Sequence, residues 1–390
     1  MWNNYHYDKI KIREICENIK DSILFNYNNS DDIYLFTGKA GSLLYLMNYQ
    51  KYFYPGKDVS TFIQNELESI INFLEYNEVN CSLGYGFTGI GWLINYYINN
   101  HIENNLFEQE FLDNFDSYVL QGIKDYNFTK DYDIFTGYLG LGMYLLERFP
   151  KKNAVIGIKQ IIELIQETTV LTEEYAYWIE SKTNKINLGL AHGIPSIIIF
   201  LSKCYQFDIE SIKCRFLIEN GIRWMLKQTI ESKPSNFSYV AGELRYTRVS
   251  WCYGDMCIAF MLILAGKRLN QNSWIQKGVE LGLFSSKRRN FDDIHDACFC
   301  HGTTGNAHLF GRLYAYTKIE IFKESATFWL NETICKYTNN NLLGLETFWG
   351  MIDEYKLGFS LLEGLAGIGL CLLAATEMDE PRWDSIFLLS

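Results

Sequence analysis

A glycine-centred segment recurs seven times along the chain, and it constrains the fold more than any other feature. "FTGKAGSLLYL" places Gly38 and Gly41, "FTGIGWLINYY" follows Gly86 and includes Gly89, and "FTGYLGLGMYLL" carries Gly137 and Gly140. "AHGIPSIIIFL" has Gly193 with Ser196 in the second glycine slot, and "CYGDMCIAFML" has Gly254 with Cys257 there. "CHGTTGNAHLF" supplies Gly302 and Gly305, and "LEGLAGIGLCLL" supplies Gly364 and Gly367. The first glycines are separated by 48, 51, 56, 61, 48 and 62 residues. Each interval holds about two helices with their connections.

An apolar run of helical length follows every glycine pair, and amphipathic segments lie between. In "VSTFIQNELESIINFL", Phe62, Ile63, Leu67, Ile70, Ile71 and Leu74 recur at helical spacing. "NAVIGIKQIIELIQETT" and "SIKCRFLIENGIRWML" have the same character. The expected fold is all-α: an α/α toroid of seven helical hairpins in one domain over 1–390. The apolar helix of each pair lines the inside and the amphipathic one meets solvent. Glycine at each inner-helix start lets the backbone turn sharply. An open solenoid has the same period, but only a closed ring brings the turns together at one mouth. The segment "ESKPSNFSYVAGELRYTRVSW" (231–251) breaks the pattern. Its Gly-Glu centre and its Tyr, Val and Thr content point to a short hairpin-like loop or a substrate-side loop.

Composition excludes several functions. The net charge of −11 opposes a phosphate backbone, so nucleic acid is not an expected partner. The N-terminal "MWNNYHYDKIKIREICENIK" has no apolar signal-peptide core, and the longest apolar runs, such as "SIIIFL", are too short for a bilayer. A cytoplasmic protein with reduced thiols is expected, peripheral to a membrane at most through a larger complex. Cys16, Cys81, Cys204, Cys214, Cys335 and Cys371 are scattered and read as ordinary buried residues.

Aligning the turns on their first glycine exposes a set of chemical groups. Asp133 lies four positions before Gly137, and His192 immediately precedes Gly193. Cys252 is two before Gly254; Cys300 and His301 are two and one before Gly302. Cys252, Cys300 and His301 would form an open Cys2His zinc site, with a fourth position left for substrate. Adding Cys298 would close a structural Cys3His site, and spacing alone does not separate the two. Taken singly, His192 is a core histidine, Asp133 a helix cap and Arg248 a surface cation. His295 and His308 read as packing or supporting residues.

"YDIFTGYLG", "GLAHGIPS", "RVSWCYG" and "CHGTTG", in this order on a seven-fold glycine repeat, resemble the lanthionine synthetase C-like family. The resemblance spans essentially the whole chain, and "WCYG" with "CHG" about fifty residues later is its most specific signal. It implies a toroid with Zn2+ in its cavity, held by Cys252, Cys300 and His301, with Cys298 left aside. It also implies active-site roles for Asp133, His192, Arg248 and Tyr253. "GIPS" and "GDMC" depart from the family's second glycine.

The implied activity is cyclisation: a peptide cysteine adds to dehydroalanine or dehydrobutyrine and forms a lanthionine or methyllanthionine thioether. The implied partners are a dehydrated precursor peptide and, in a biosynthetic complex, a dehydratase and an export transporter. Within the family, glutathione binding or addition is the alternative. Outside it stand an inactive peptide-binding scaffold and a zinc hydrolase, which would need a carboxylate base such as Asp133.

Overall fold

The computed structural model describes residues 7–53, 57–100, 109–230, 234–290, 294–349, 353–376 and 380–390. The first six residues of the N-terminal stretch and residues 231–233 of the irregular loop lie outside them. Among the described residues fourteen α-helices alternate in two kinds. Seven begin at the residue after a first glycine: α2 (Lys39–Phe53), α4 (Phe87–Asn100), α6 (Tyr138–Arg148), α8 (Ile194–Gln206), α10 (Asp255–Leu269), α12 (Thr303–Thr317) and α14 (Leu365–Thr376). The other seven precede them: α1 (Lys9–Asn26), α3 (Lys57–Tyr76), α5 (Gln109–Thr129), α7 (Lys152–Glu167), α9 (Ser211–Leu226), α11 (Asn272–Ser286) and α13 (Glu320–Asn340).

Burial separates the two kinds as the hydrophobic pattern predicts. Helix α8 is buried at every position from Ile194 to Ser202, and α14 from Leu365 to Ala375. Helix α7 buries a single face through Ala154, Ile158, Ile161, Ile162 and Ile165. In α3, Ile63, Leu67, Ile70 and Ile71 are buried, at the spacing read from the sequence.

The chain divides into two compact units. One comprises residues 1–79, 96–106 and 286–383, and the other 80–95, 107–285 and 384–390. In the first unit, α14 packs on α2 and on α12, and α1 packs on α14. The last repeat therefore meets the first, which the terminal repeats of an open array do not do. In the second unit α6 packs on α8 and α8 on α10, with α7 and α9 against them.

The glycine turns share one construction. In six of them the first helical N–H donates to the carbonyl six residues before the glycine: Lys39 to Asp32 (2.8 Å), Phe87 to Asn80 (3.0 Å), Tyr138 to Asp131 (2.9 Å), Ile194 to Asn187 (3.1 Å), Thr303 to Asp296 (3.1 Å) and Leu365 to Gly358 (2.9 Å). In five, the Asp or Asn at that position also accepts, through Oδ1, the N–H two residues on: Tyr34, Ser82, Asp133, Gly189 and Cys298. These are Asx turns. A Cβ at Gly38, Gly137 or Gly193 would fall on the carbonyl oxygen that accepts the helix's first bond. Gly38→Ala, in a turn that carries none of the chemical groups above, is expected to destabilise by about 1–3 kcal/mol. Thermal unfolding checks this, and an unchanged midpoint would contradict it.

Adjacent turns within a unit are joined by backbone bonds close to the glycine. Gly84 N–H donates to Phe135 (2.8 Å) and Ala191 to Cys252 (3.3 Å) in one unit. Cys300 donates to Leu362 (3.0 Å) and Leu361 to Phe36 (3.1 Å) in the other. The missing second glycines of "GIPS" and "GDMC" are accommodated locally: Ser196 Oγ donates to Gly193 O (2.7 Å) and Cys257 Sγ to Gly254 O (3.0 Å).

The loop at 231–251 differs from its expected hairpin form. Among its described residues no two strands pair. Val240 instead bridges to Asn187 in turn four, and the chain reverses at Gly242, whose φ is +81°. Side-chain hydroxyls fix its backbone: Arg245 N–H donates to Ser238 Oγ (3.2 Å) and Thr247 N–H to Ser235 Oγ (3.0 Å). Among the described residues two short antiparallel strand pairs lie elsewhere, Thr169–Leu171 with Ala176–Trp178 and Thr347–Trp349 with Glu354–Lys356.

Candidate active site

Turns three and four create an ion pair from residues 59 positions apart. His192 Nδ1 lies 2.5 Å from Asp133 Oδ2. The other oxygen of Asp133 accepts the N–H groups of Phe135 (2.7 Å) and Thr136 (3.0 Å). Asp133 thus caps its own turn, while Gly137 is the cap of α6. Because Asp133 takes Nδ1, the second ring nitrogen of His192, Nε2, is left for other chemistry. The His192 side chain is 39% exposed, so a substrate can reach it.

The charges of the pair reinforce each other. Burial is the largest influence on His192 and would lower its pKa; the hydrogen bond and charge of Asp133, helped by Cys252 and Glu180, outweigh it and hold the imidazole above its ordinary 6.5. Burial would likewise raise Asp133, but the His192 contacts and two backbone N–H groups hold it below the usual carboxylate range. Asp133→Asn should therefore lower the His192 pKa. The protonated form would then disappear at a lower pH, and any step needing His192 as an acid would fail earlier as pH rises. NMR titration of His192 checks this; an unmoved pKa would contradict it.

Turn five is built unlike the others. Arg248 occupies the position six before its glycine, and Gly254 has φ +88° with Thr247 where a Cβ would go. The Arg248 guanidinium is partly exposed and has no hydrogen-bond or ion-pair partner among the described residues. Tyr253 is fixed by Asn187 Nδ2, which donates to its hydroxyl (3.2 Å), and the close approach of its ring to Gly189 leaves no room for a Cβ there. Burial pushes the Tyr253 phenol up to about 12, so it is neutral at physiological pH. Its ring lies 6.3 Å from that of His192. The backbone of Cys252 is held through its carbonyl by Ala191.

Turn six presents Cys298, Cys300 and His301. All ten cysteines are free thiols, and they differ in access. Cys298 is fully buried, whereas Cys252 and Cys300 retain 7% and 9% exposure, more than any other buried cysteine. Burial, helped by the Asp296 carboxylate, drives the Cys298 thiol well above its ordinary range. Asp296 is itself buried. Its Oδ1 accepts Cys298 N–H and its Oδ2 accepts Phe348 N–H (both 3.0 Å), and Oδ2 lies 3.7 Å from His301 Nε2. Asp296, Cys298 and His301 offer donor atoms within 4.8 Å of one another, a grouping the sequence did not single out. An aspartate six residues before the glycine was the available signal.

His295 and His308 keep packing roles. His295 lies on Phe348 (4.9 Å between rings), and His308 is buried beside Trp383 (4.8 Å). Of the scattered cysteines, Cys335 is exposed and Cys81 half-buried, contrary to the expectation for both.

The fold and these groups define an α-helical repeat protein with a partly exposed His–Asp couple and thiol and imidazole donors at its glycine turns. The model of the lanthionine synthetase C-like protein family matches residues 95–388, and the chain belongs to that family. Nisin biosynthesis protein NisC of Lactococcus lactis subsp. lactis is 24% identical over 91% of this chain and 88% of its own length. Glutathione S-transferase LANCL1 of Danio rerio is 24% identical over 47% of this chain and 46% of its own. A solved structure of nisin cyclase superposes over 97% of both chains with a TM-score of 0.74 and 19% identity. The all-α, α/α toroid class expected from the glycine repeat is the fold shared with that structure. Among the described residues no helix is long and apolar enough to cross a membrane.

Proposed function

We propose that this protein is a zinc-dependent lanthipeptide cyclase that adds peptide cysteine thiols to dehydroalanine or dehydrobutyrine. The observation that carries this is the His192–Asp133 couple, formed by two turns of a chain that belongs to the lanthionine synthetase C-like family. Residues 1–390 would act as one catalytic domain, since the chemical groups come from both units.

Cys252, Cys300 and His301 would hold the metal. Two sulfurs and one imidazole are a donor set suited to zinc, and three protein ligands leave a place for a fourth. The slight exposure of Cys252 and Cys300 suits contact with an incoming group, while the buried, neutral Cys298 does not. Zinc, when bound, deprotonates a coordinated thiol, which at an ordinary pKa near ~8.5 is mostly protonated at neutral pH.

The chain's own residues complete the addition. A carbon–sulfur bond forms at the β-carbon of the dehydro residue, and the double-bond electrons move onto its carbonyl oxygen. Arg248, which has no partner of its own among the described residues, supplies positive charge to that enolate. His192 Nε2 delivers a proton to the α-carbon, and Asp133 stabilises the charged imidazole and fixes its orientation. The thiol loses one proton and the α-carbon gains one, so the product has the mass of the reactant. Tyr253 forms a wall beside His192.

The glutathione alternative rests on the match to LANCL1, which spans half as much of this chain as the match to NisC. An inactive scaffold has no use for a paired His192 and Asp133. A dehydrated precursor peptide is the proposed substrate, a dehydratase and an exporter are proposed partners, and a cytoplasmic location is proposed with them. The test is incubation of zinc-loaded protein with a dehydrated, cysteine-containing peptide, counting free thiols by alkylation and mass spectrometry. Loss of alkylatable thiol at constant mass, abolished by a chelator, is expected. Thiols that persist, or a mass gain matching added glutathione or water, would overturn it.

A further inference from the structure

A file of neighbouring, mutually tilted rings leads from His192 to the surface within one unit. His192 neighbours both Phe135 (5.3 Å between ring centroids) and Tyr253 (6.3 Å), with the ring planes tilted in each case. Tyr253 meets Tyr239 (4.9 Å), and the Arg245 guanidinium carbon lies 5.1 Å over the Tyr239 ring. Arg245 is exposed and belongs to the irregular loop after Gly242, where Leu244 and Tyr246 are 84% and 48% exposed. The loop is nonetheless anchored: Ala241 N–H donates to Ile186 O (3.0 Å), Arg245 N–H to Ser238 Oγ, and Thr247 is buried beneath it.

The charges on this edge are unequal. Glu243 is neutralised by Lys185 (3.1 Å), and Glu180 accepts from Thr183 Oγ1 (2.7 Å). Arg245, like Arg248, has no ion-pair partner among the described residues. Two uncompensated guanidinium groups on one short segment are unexpected in a chain of net charge −11. A guanidinium lying on an aromatic ring keeps its N–H edge free and is already oriented for a planar, two-oxygen acceptor.

We propose that the loop at 240–248 is the substrate-recognition edge of the site, and that Arg245, held on Tyr239, binds the carboxylate of an acidic side chain in the peptide. The nature of the substrate rests on the cyclase function proposed above. The steps between Arg245 and His192 are 4.9 to 6.3 Å each. An extended peptide advances ~3.3–3.6 Å per residue, so the acidic residue lies within about five residues of the reacting one. Leu244 and Tyr246 would contact apolar side chains next to it.

The test separates binding from turnover. Fluorescence anisotropy is measured with labelled peptides whose single cysteine is replaced by serine, so that none can react. Aspartate is placed in turn at each of the five positions on either side and compared with asparagine at the same position. At one or two positions wild-type protein should prefer the aspartate peptide about fivefold, the scale of an exposed but oriented ion pair. In Arg245→Gln the ratio should fall to about one, and in Arg245→Lys it should be intermediate. No preference at any position in the wild type, or a preference retained in Arg245→Gln, would overturn the proposal. Cyclisation of matched dehydrated peptides is followed in parallel. Selective binding without thioether formation would sink the cyclase function and leave the recognition edge standing; thioether formation without selectivity would do the reverse.

Discussion

Replacing His192 with asparagine is expected to slow thioether formation by about 10²–10⁴-fold without loss of metal, the usual effect of removing a positioned proton donor. Attack by sulfur alone leaves an enolate, which reverts unless its α-carbon is protonated. In the proposed mechanism His192 protonates it through Nε2, because Asp133 occupies Nδ1. Asparagine keeps a polar side chain of modest size but has no titrating proton. Asp133→Asn should be milder, because the imidazole stays while its charge support and orientation weaken. Rates from thiol counting, with zinc measured on the same samples, decide the matter. A zinc-replete His192→Asn protein that cyclises at the wild-type rate would remove His192 from the chemistry.

Cys300→Ala should cost the protein its metal and with it essentially all thioether formation, whereas Cys298→Ala should keep about one zinc per chain. Both cysteines belong to the same turn, two residues apart, but their surroundings differ. Cys298 is sealed and next to the Asp296 carboxylate, which disfavours its thiolate. Cys300 is held through its N–H by Leu362 at the position where turns six and seven join, and its side chain keeps some access. Metal analysis of the two variants separates the open Cys2His site from a closed Cys3His one. Zinc retained in Cys300→Ala and lost in Cys298→Ala would reverse the ligand choice.

The repeat is legible in the sequence because glycine is required by backbone crowding. All seven inner helices start at the residue after the first glycine, and the buried faces of α3 and α7 follow the apolar spacing. Aligning the turns puts Asp133 and His192 beside their glycines and the family resemblance marks both, but only the structure shows that they pair. Other features are less legible. The Asp or Asn six residues before the glycine recurs in five turns, yet only the structure shows that it builds the turn through Oδ1. The segment around Gly242 has hairpin chemistry, but Val240 makes a single bridge to Asn187 in turn four, a choice made by tertiary packing and not by local sequence. The strand pairs Thr169–Leu171 with Ala176–Trp178 and Thr347–Trp349 with Glu354–Lys356 have three-residue strands, too short for alternation to register. Arg245 carries no local signal at all; only the file of rings from Phe135 to Tyr239 gives it significance.

The proposed mechanism turns on a Cys2His metal site that takes a peptide thiol as its fourth ligand. The most direct measurement is the absorption spectrum of cobalt-substituted protein titrated with a cysteine-containing peptide. A sulfur-to-metal charge-transfer band that grows with peptide, saturates, and is absent with the serine analogue is the predicted result. A spectrum unchanged at saturating peptide would show the site closed to thiols and contradict the mechanism.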